Sequence, residues 1–120
     1  MKRILVIDDE RIIRVSCERA LIPEGYGVRS VSTGEEGLAL IEKEPFDLIL
    51  LDIKMPDMDG IEALKRIKER WPEMKVIMIT GYGAVETAVK SLRLGAFNYI
   101  EKPFSPDTLL TAIKEALEVE

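Results

Sequence analysis

Short apolar runs recur along the chain, each followed by a stretch of helical periodicity. RILVI (3–7), GVRSV (27–31), FDLILL (46–51), KVIMIT (75–80) and NYI (98–100) read as strands. Three of these are continuously apolar, the pattern of parallel strands covered on both faces. Helical spacing fills residues 10–22, 33–44, 60–70, 84–94 and 105–118. Thr33 with Glu36 three residues on has capping-box spacing, and Ser105-Pro106 is a cap followed by proline at the first helical position. Val85, Ala88, Val89 and Leu92 share one face of the fourth helix, and Leu109, Ile113 and Leu117 one face of the fifth. Both stripes are expected in the core, and Pro72 is expected to end the third helix.

Five strands alternating with five helices, joined by right-handed crossovers, predict an α/β fold: a doubly wound five-stranded parallel sheet in the flavodoxin-like order 2-1-3-4-5. The length of 120 residues suits a single domain over residues 1–120. With 47% apolar and 32% charged residues and no low-complexity segment, repeat or Pro/Gly/Ser linker, the whole chain reads as ordered. In such sheets ligands bind beyond the carboxyl ends of the strands where the strand order reverses, here between the first and third.

Charge and composition narrow the chemistry. Seventeen basic against 22 acidic side chains leave a net charge of −5, and no Lys/Arg cluster follows one helical face, so direct nucleic-acid binding is not expected. No apolar stretch is long enough for a signal peptide or a membrane span, and the lone Cys17 has no disulfide partner, which together predict a cytoplasmic location and no membrane contact. Cys17 lies within a helical pattern and is read as a packing residue. The chain has no histidine, which excludes a Ser-His-Asp triad, a Cys-His pair, a histidine-ligated metal and an internal phosphohistidine donor.

Asp8 and Asp9 follow the first strand, Asp52 the third, Thr80 and Gly81 the fourth, and Lys102 and Pro103 the fifth. Each has an ordinary explanation: a helix cap at Asp8 or Asp9, a turn at Asp52, a strand end at Thr80, a solvated Lys102. Independent turn or surface residues nevertheless have no reason to gather at the same end of four strands. Three carboxylates brought that close must take up protons or hold a hard cation, and an all-oxygen set suits Mg²⁺.

Other chemistries fail on spacing. An EF-hand loop starting at Asp57 would need an acceptor where Ile61 stands and a glutamate where Lys68 stands. A haloacid-dehalogenase-type phosphatase needs a second Asp two residues after its nucleophile, and Asp52 is followed by Ile53-Lys54. Neither a flavin-binding phosphate loop nor a P-loop is present.

VIDDE, LDIKMPDMDG, ITGYG and GAFNYIEKPF, in this order and placement, closely resemble the receiver domain of bacterial and archaeal two-component response regulators, over essentially the whole chain. The resemblance implies that Asp52 is the phosphoacceptor, taking a phosphoryl group from a histidine of a partner kinase or phosphotransfer protein. It implies Mg²⁺ held by Asp9, Asp52 and the backbone carbonyl of Lys54, with Asp8 ligating directly or orienting metal-bound water. Lys102 would pair with Asp52 and then with the phosphoryl oxygens, Thr80 would bond a phosphoryl oxygen, Tyr99 would be the switch aromatic, and the Lys102-Pro103 bond would be cis. The fourth helix, fifth strand and fifth helix would carry the signal to an output domain or protein. Lys54 and Tyr82 flank the expected path of attacking water and would tune the lifetime of the phosphoryl group.

Two further readings stay open at this point: a Mg²⁺-dependent phosphohydrolase working through Asp52, and a pseudo-receiver that folds and binds without phosphorylation. The intact Asp8, Asp9, Asp52, Thr80 and Lys102 count against the second. GYGAVETAVKSLRLGAFNYIEKPF looks most like receivers joined to AAA+ transcription activators, and no output domain is visible within these 120 residues. A stand-alone regulator, a domain of a longer protein and a phosphorylation-dependent homodimer all stay open.

Overall fold

The computed structural model of the chain describes residues 1–81 and 84–119. Its elements are β1 (Arg3–Ile7), α1 (Arg11–Leu21), a 3₁₀ turn (Ile22–Glu24), β2 (Gly27–Val31), α2 (Gly34–Lys43), β3 (Leu48–Asp52), α3 (Gly60–Arg70), β4 (Lys75–Thr80), α4 (Val85–Arg93), β5 (Asn98–Glu101) and α5 (Pro106–Glu118). All neighbouring strands are parallel, and the sheet runs β2-β1-β3-β4-β5, the expected order.

The strand pattern explains the layers. Successive residues of β1, β3 and β4 point to opposite faces. Leu5, Ile7, Ile49, Leu51, Val76 and Met78 pack under α2 and α3 with Ile41, Leu64 and Ile67. Ile4, Val6, Leu48, Leu50, Ile77 and Ile79 pack under α1 and α5 with Cys17, Leu21, Leu109 and Ile113. Cys17 is fully buried, and burial, with Asp8 and Glu18 adding to it, pushes its thiol up to about 12, so packing is its role.

The helix starts follow local chemistry. Thr33 accepts a hydrogen bond from the Glu36 N–H at 3.1 Å, while the Glu36 carboxylate takes the Thr33 hydroxyl at 2.9 Å. Ser105 caps α5 through the Thr108 N–H at 3.1 Å, with Pro106 next. At the other end of α3, Lys68 donates to the carbonyls of Pro72 (2.7 Å) and Met74 (2.9 Å). The third strand begins two residues later than its apolar run, because Asp47 instead accepts the Arg3 N–H at 2.7 Å.

The fourth helix departs from expectation. Ala88 is buried, but Val85, Val89 and Leu92 are 50%, 38% and 38% exposed, so this stripe is not core. The helix sits beside the short β5 at the sheet edge, and its N-cap residue, Ala84, offers no side-chain bond. Leu109 and Ile113 of α5 are buried as expected, with Leu117 half-buried.

The two stripes make opposite predictions. Leu50→Ala is expected to lower the unfolding free energy by about 2–5 kcal/mol, whereas Val85→Ala shifts it by no more than about 0.5 kcal/mol. Urea denaturation of both variants checks this, and a large loss for Val85→Ala would return α4 to the core.

Candidate functional site

Strand register alone brings the chemistry together. Ile7 pairs with Leu51, so Asp8 and Asp52 each come next on adjacent strands; Thr80 pairs with Glu101, so Lys102 follows beside it. Backbone bonds continue past the strand ends: Lys102 N–H donates to the Thr80 carbonyl at 2.7 Å, Ile53 N–H to Ile79 at 3.0 Å, and Asp8 N–H to Val31 at 3.2 Å. The Lys102-Pro103 bond is cis.

Asp8 is fully buried and Asp52 is 3% exposed. Asp8 Oδ1 accepts the Glu10 N–H at 2.8 Å, and the Asp8 carbonyl accepts from Arg14 at 2.7 Å. Neither Asp8 nor Asp9 caps α1, whose N-cap residue is Glu10. Lys102 Nζ lies 2.6 Å from Glu10 Oε1, 3.1 Å from Asp8 Oδ2 and 3.4 Å from Asp52 Oδ1. The ammonium meets Asp8 Oδ2 as an ion pair only, and that buried oxygen accepts no hydrogen bond.

Burial first, then the neighbouring Asp8 charge and the nearby Asp9 side chain, raise the Asp52 carboxyl to about 7 against the opposing Lys102. Burial likewise raises Asp8, against the opposing Glu10 N–H and Lys102. Burial alone would lower Lys102, but the Glu10 hydrogen bond and the charges of Asp8 and Asp52 outweigh it and hold the ammonium above its ordinary range.

Oxygen atoms of Asp8, Glu10 and Asp52 lie within 4.8 Å of one another. This trio differs from the expected one: Glu10, given no role by sequence reasoning, stands in it, while Asp9 is exposed and lies outside it. The donor set is all oxygen and includes one buried carboxylate oxygen without a hydrogen bond, which fits a hard divalent cation. Lys54 is exposed on the loop after β3. Thr80 is buried at the end of β4 and donates its hydroxyl to the Gly81 carbonyl at 3.3 Å. Tyr99 is half-buried, packs against the α2/α3 side of the core and lines a surface cleft with Thr108. Tyr82 lies outside the described residues.

Gly60 is a further member that spacing did not reveal. Its N–H donates to the Ile53 carbonyl at 2.6 Å, and a Cβ there would overlap the Asp52 carbonyl oxygen and the Ile53 backbone. Glycine therefore lets α3 begin directly against the residue that carries the central carboxylate. The signal was present in MDG, where Asp59 caps α3 by accepting the Ile61 N–H at 2.8 Å.

The family model described as "Response regulator receiver domain" matches residues 4–114. Regulatory protein AtoC of Escherichia coli (strain K12) is 39% identical over 120 residues, which is 100% of this chain and 26% of that protein. Sporulation initiation phosphotransferase F of Bacillus subtilis (strain 168) is 38% identical over 99% of this chain and 96% of its own length. Among solved structures, a CheY-like response regulator receiver domain protein from Methanospirillum hungatei JF-1 superposes with a TM-score of 0.93 at 49% identity, covering 98% of this chain and 94% of that one. The chain spans about a quarter of the length of the first curated relatives it matches, 25% and 26%. No helix among the described residues is long and apolar enough to cross a membrane.

The raised Asp52 carboxyl has a consequence for stability in metal-free buffer. Between its ordinary value of 3.8 and about 7 the folded chain holds a proton that the unfolded chain has released, so stability falls as pH rises through that window. Above it the folded chain carries the full burden of a buried anion. Asp52→Asn is expected to gain stability relative to the parent as pH is raised from about 5 to about 8, read by urea denaturation at each pH. Parallel pH profiles would show that Asp52 ionises normally.

Proposed function

The chain belongs to the response regulator receiver domain family, and on that premise we propose that Asp52 accepts a phosphoryl group and that the α4, β5 and α5 face reports its arrival. The observation that carries the proposal is the meeting of Asp8, Asp52 and Lys102 at one rim of the sheet, with Asp52 at the end of β3.

Receiver domains are signalling modules rather than conventional enzymes, and here the chemistry is an acceptance. An Asp52 carboxylate oxygen attacks the phosphorus of a phosphohistidine on a kinase or phosphotransfer protein. The P–N bond breaks, its electron pair leaves with the imidazole, and an acyl phosphate forms on Asp52. Since the chain has no histidine, it stands on the acceptor side of such a relay. Asp8, Asp9, Asp52 and the Lys54 carbonyl are the proposed ligands of Mg²⁺, and the full burial of Asp8 beside Asp52 favours Asp8 as a direct ligand. When Mg²⁺ is held there, charge on the phosphoryl oxygens is offset.

Lys102 supplies a permanent cation whose ammonium already lies against Asp8, Glu10 and Asp52. Thr80 supplies a hydroxyl whose present bond, 3.3 Å to the Gly81 carbonyl, is long and readily exchanged for a charged acceptor. The new acyl phosphate carries nearly two negative charges. Movement of Thr80 toward it opens space for Tyr99 to turn inward, and the exposed Val85, Val89 and Leu92 on α4 give the reporting face an apolar surface for an output domain, a partner protein or a second copy. A bias of about 2–3 kcal/mol is enough to turn a minor conformer into the major one.

Two outcomes test this reading. Acetyl phosphate with Mg²⁺ is expected to add one phosphoryl group, seen by intact mass, and Asp52→Asn is expected to add none; equal labelling of the variant would remove Asp52 from its role. Catalytic turnover of an exogenous phosphate ester would instead favour a phosphohydrolase. Thr80→Ala is expected to be labelled still but to lose the phosphorylation-dependent change in amide exchange on α4, and an unaltered change there would sink the proposed path.

A further inference from the structure

The loop over residues 53–59, between β3 and α3, has a carboxylate that the phosphoacceptor chemistry leaves unused. Asp57 reaches across to α2: its Oδ1 accepts the Gly34 N–H at 3.1 Å and its Oδ2 accepts the Glu35 N–H at 3.1 Å. Thr33 satisfies the next two amides of the helix, Glu36 through its hydroxyl at 3.1 Å and Gly37 through its carbonyl at 3.1 Å. Of the amides at the start of α2 that have no partner within the helix, Glu36 is thus held by the N-cap residue, and Gly34 and Glu35 by a residue 23 and 22 positions away. Met58 is buried beside this junction, and a Cβ on Gly34 would press on it at 3.2 Å, so the loop and the helix start are in close contact as well.

Helix stability alone does not require the second half of the cap to come from this loop, since water satisfies exposed helix-start amides. The loop gains more from the arrangement than the helix does. Two charge-assisted bonds to a rigid helix, aided by its dipole, anchor the loop midway between Asp52 and the start of α3. With both oxygens of Asp57 engaged by amides, Asp57 is placed to hold the loop and not to bind a ligand.

We propose that Asp57 is a positioning residue that pins the β3–α3 loop to the start of α2 and so fixes the Lys54 carbonyl and Asp52 for the cation. The part concerning the cation rests on the proposed Mg²⁺ site. Partners that orient metal ligands from behind are commonly worth about tenfold or more in metal affinity.

Three variants separate positioning from simple capping. Asp57→Ala removes both bonds from the loop, Thr33→Ala removes the hydroxyl bond to the Glu36 N–H and keeps the backbone bond to Gly37, and Asp57→Asn removes the charge while keeping one acceptor. Mg²⁺ affinity is measured by calorimetry at low and high ionic strength, and exchange of the Gly60 amide is measured without metal, because that amide reports closure of the loop on the Ile53 carbonyl. Asp57→Ala is expected to weaken Mg²⁺ binding about tenfold at both ionic strengths and to speed Gly60 exchange, with Asp57→Asn in between. Thr33→Ala is expected to leave both readings within about twofold of the parent. Equal effects from Thr33→Ala and Asp57→Ala, an effect that disappears at high salt, or unchanged Gly60 exchange would each overturn the proposal. If the parent chain takes up no Mg²⁺, the metal-site reading fails, while Gly60 exchange still decides whether Asp57 holds the loop.

Discussion

Two carboxylates stand side by side in a place that water barely reaches, and the rest of the molecule answers to that fact. Parallel pairing of β1 with β3 sets Asp8 next to Asp52 at the ends of two buried strand runs, where both side chains are shielded from solvent. Burial and mutual repulsion disfavour both charges, and Lys102 offsets them only in part because Glu10 holds the same ammonium more closely. A site in this condition favours whatever brings positive charge or protons to it. That is the physical reason the rim suits a divalent cation, whose charge would offset both carboxylates.

The packing that enforces this crowding is uneven by design of the topology. The central strands are sealed on both faces by α1, α5, α2 and α3, whereas α4 lies on the sheet margin with three apolar side chains open to solvent and no side-chain cap at its start. Dense packing lies under the carboxylates, and partly exposed apolar side chains lie on α4. A fold that had buried α4 as thoroughly as α5 would have left the reporting face little room for a second arrangement.

Most of the architecture is legible in the residues, because continuous apolar runs bounded by helical stretches admit few parallel arrangements and the strand ends then deliver Asp8, Asp52, Thr80 and Lys102 to one edge. The exposed stripe of α4 was not legible: Val85, Ala88, Val89 and Leu92 have the spacing of a core face, and periodicity shows that residues share a side without showing what covers it. Glu10 is not legible for a related reason: the turn into α1 leaves Asp9 exposed and brings Glu10 round to Lys102, which backbone direction sets and composition does not. The reach of Asp57 to α2 and the tight approach at Gly60 depend on tertiary closure, which no local pattern carries.

The position of Lys102 joins the buried site to β4. Its ammonium is nearer to Glu10 at 2.6 Å than to Asp52 at 3.4 Å, while its backbone N–H holds the Thr80 carbonyl at 2.7 Å. On the proposed reading, a phosphoryl group on Asp52 offers stronger acceptors than Glu10, so the ammonium shifts inward while the main chain of Lys102 keeps its grip on β4. The same added charge attracts the Thr80 hydroxyl one residue along from the segment that leads into α4. Both responses arise from one change in charge and act on adjacent strands, so Thr80 and Lys102 are mechanically tied before either side chain moves. On that proposed reading, redistribution of one cation between an exposed and a buried acid connects chemistry at β3 with β4 through the Lys102 backbone bond to Thr80.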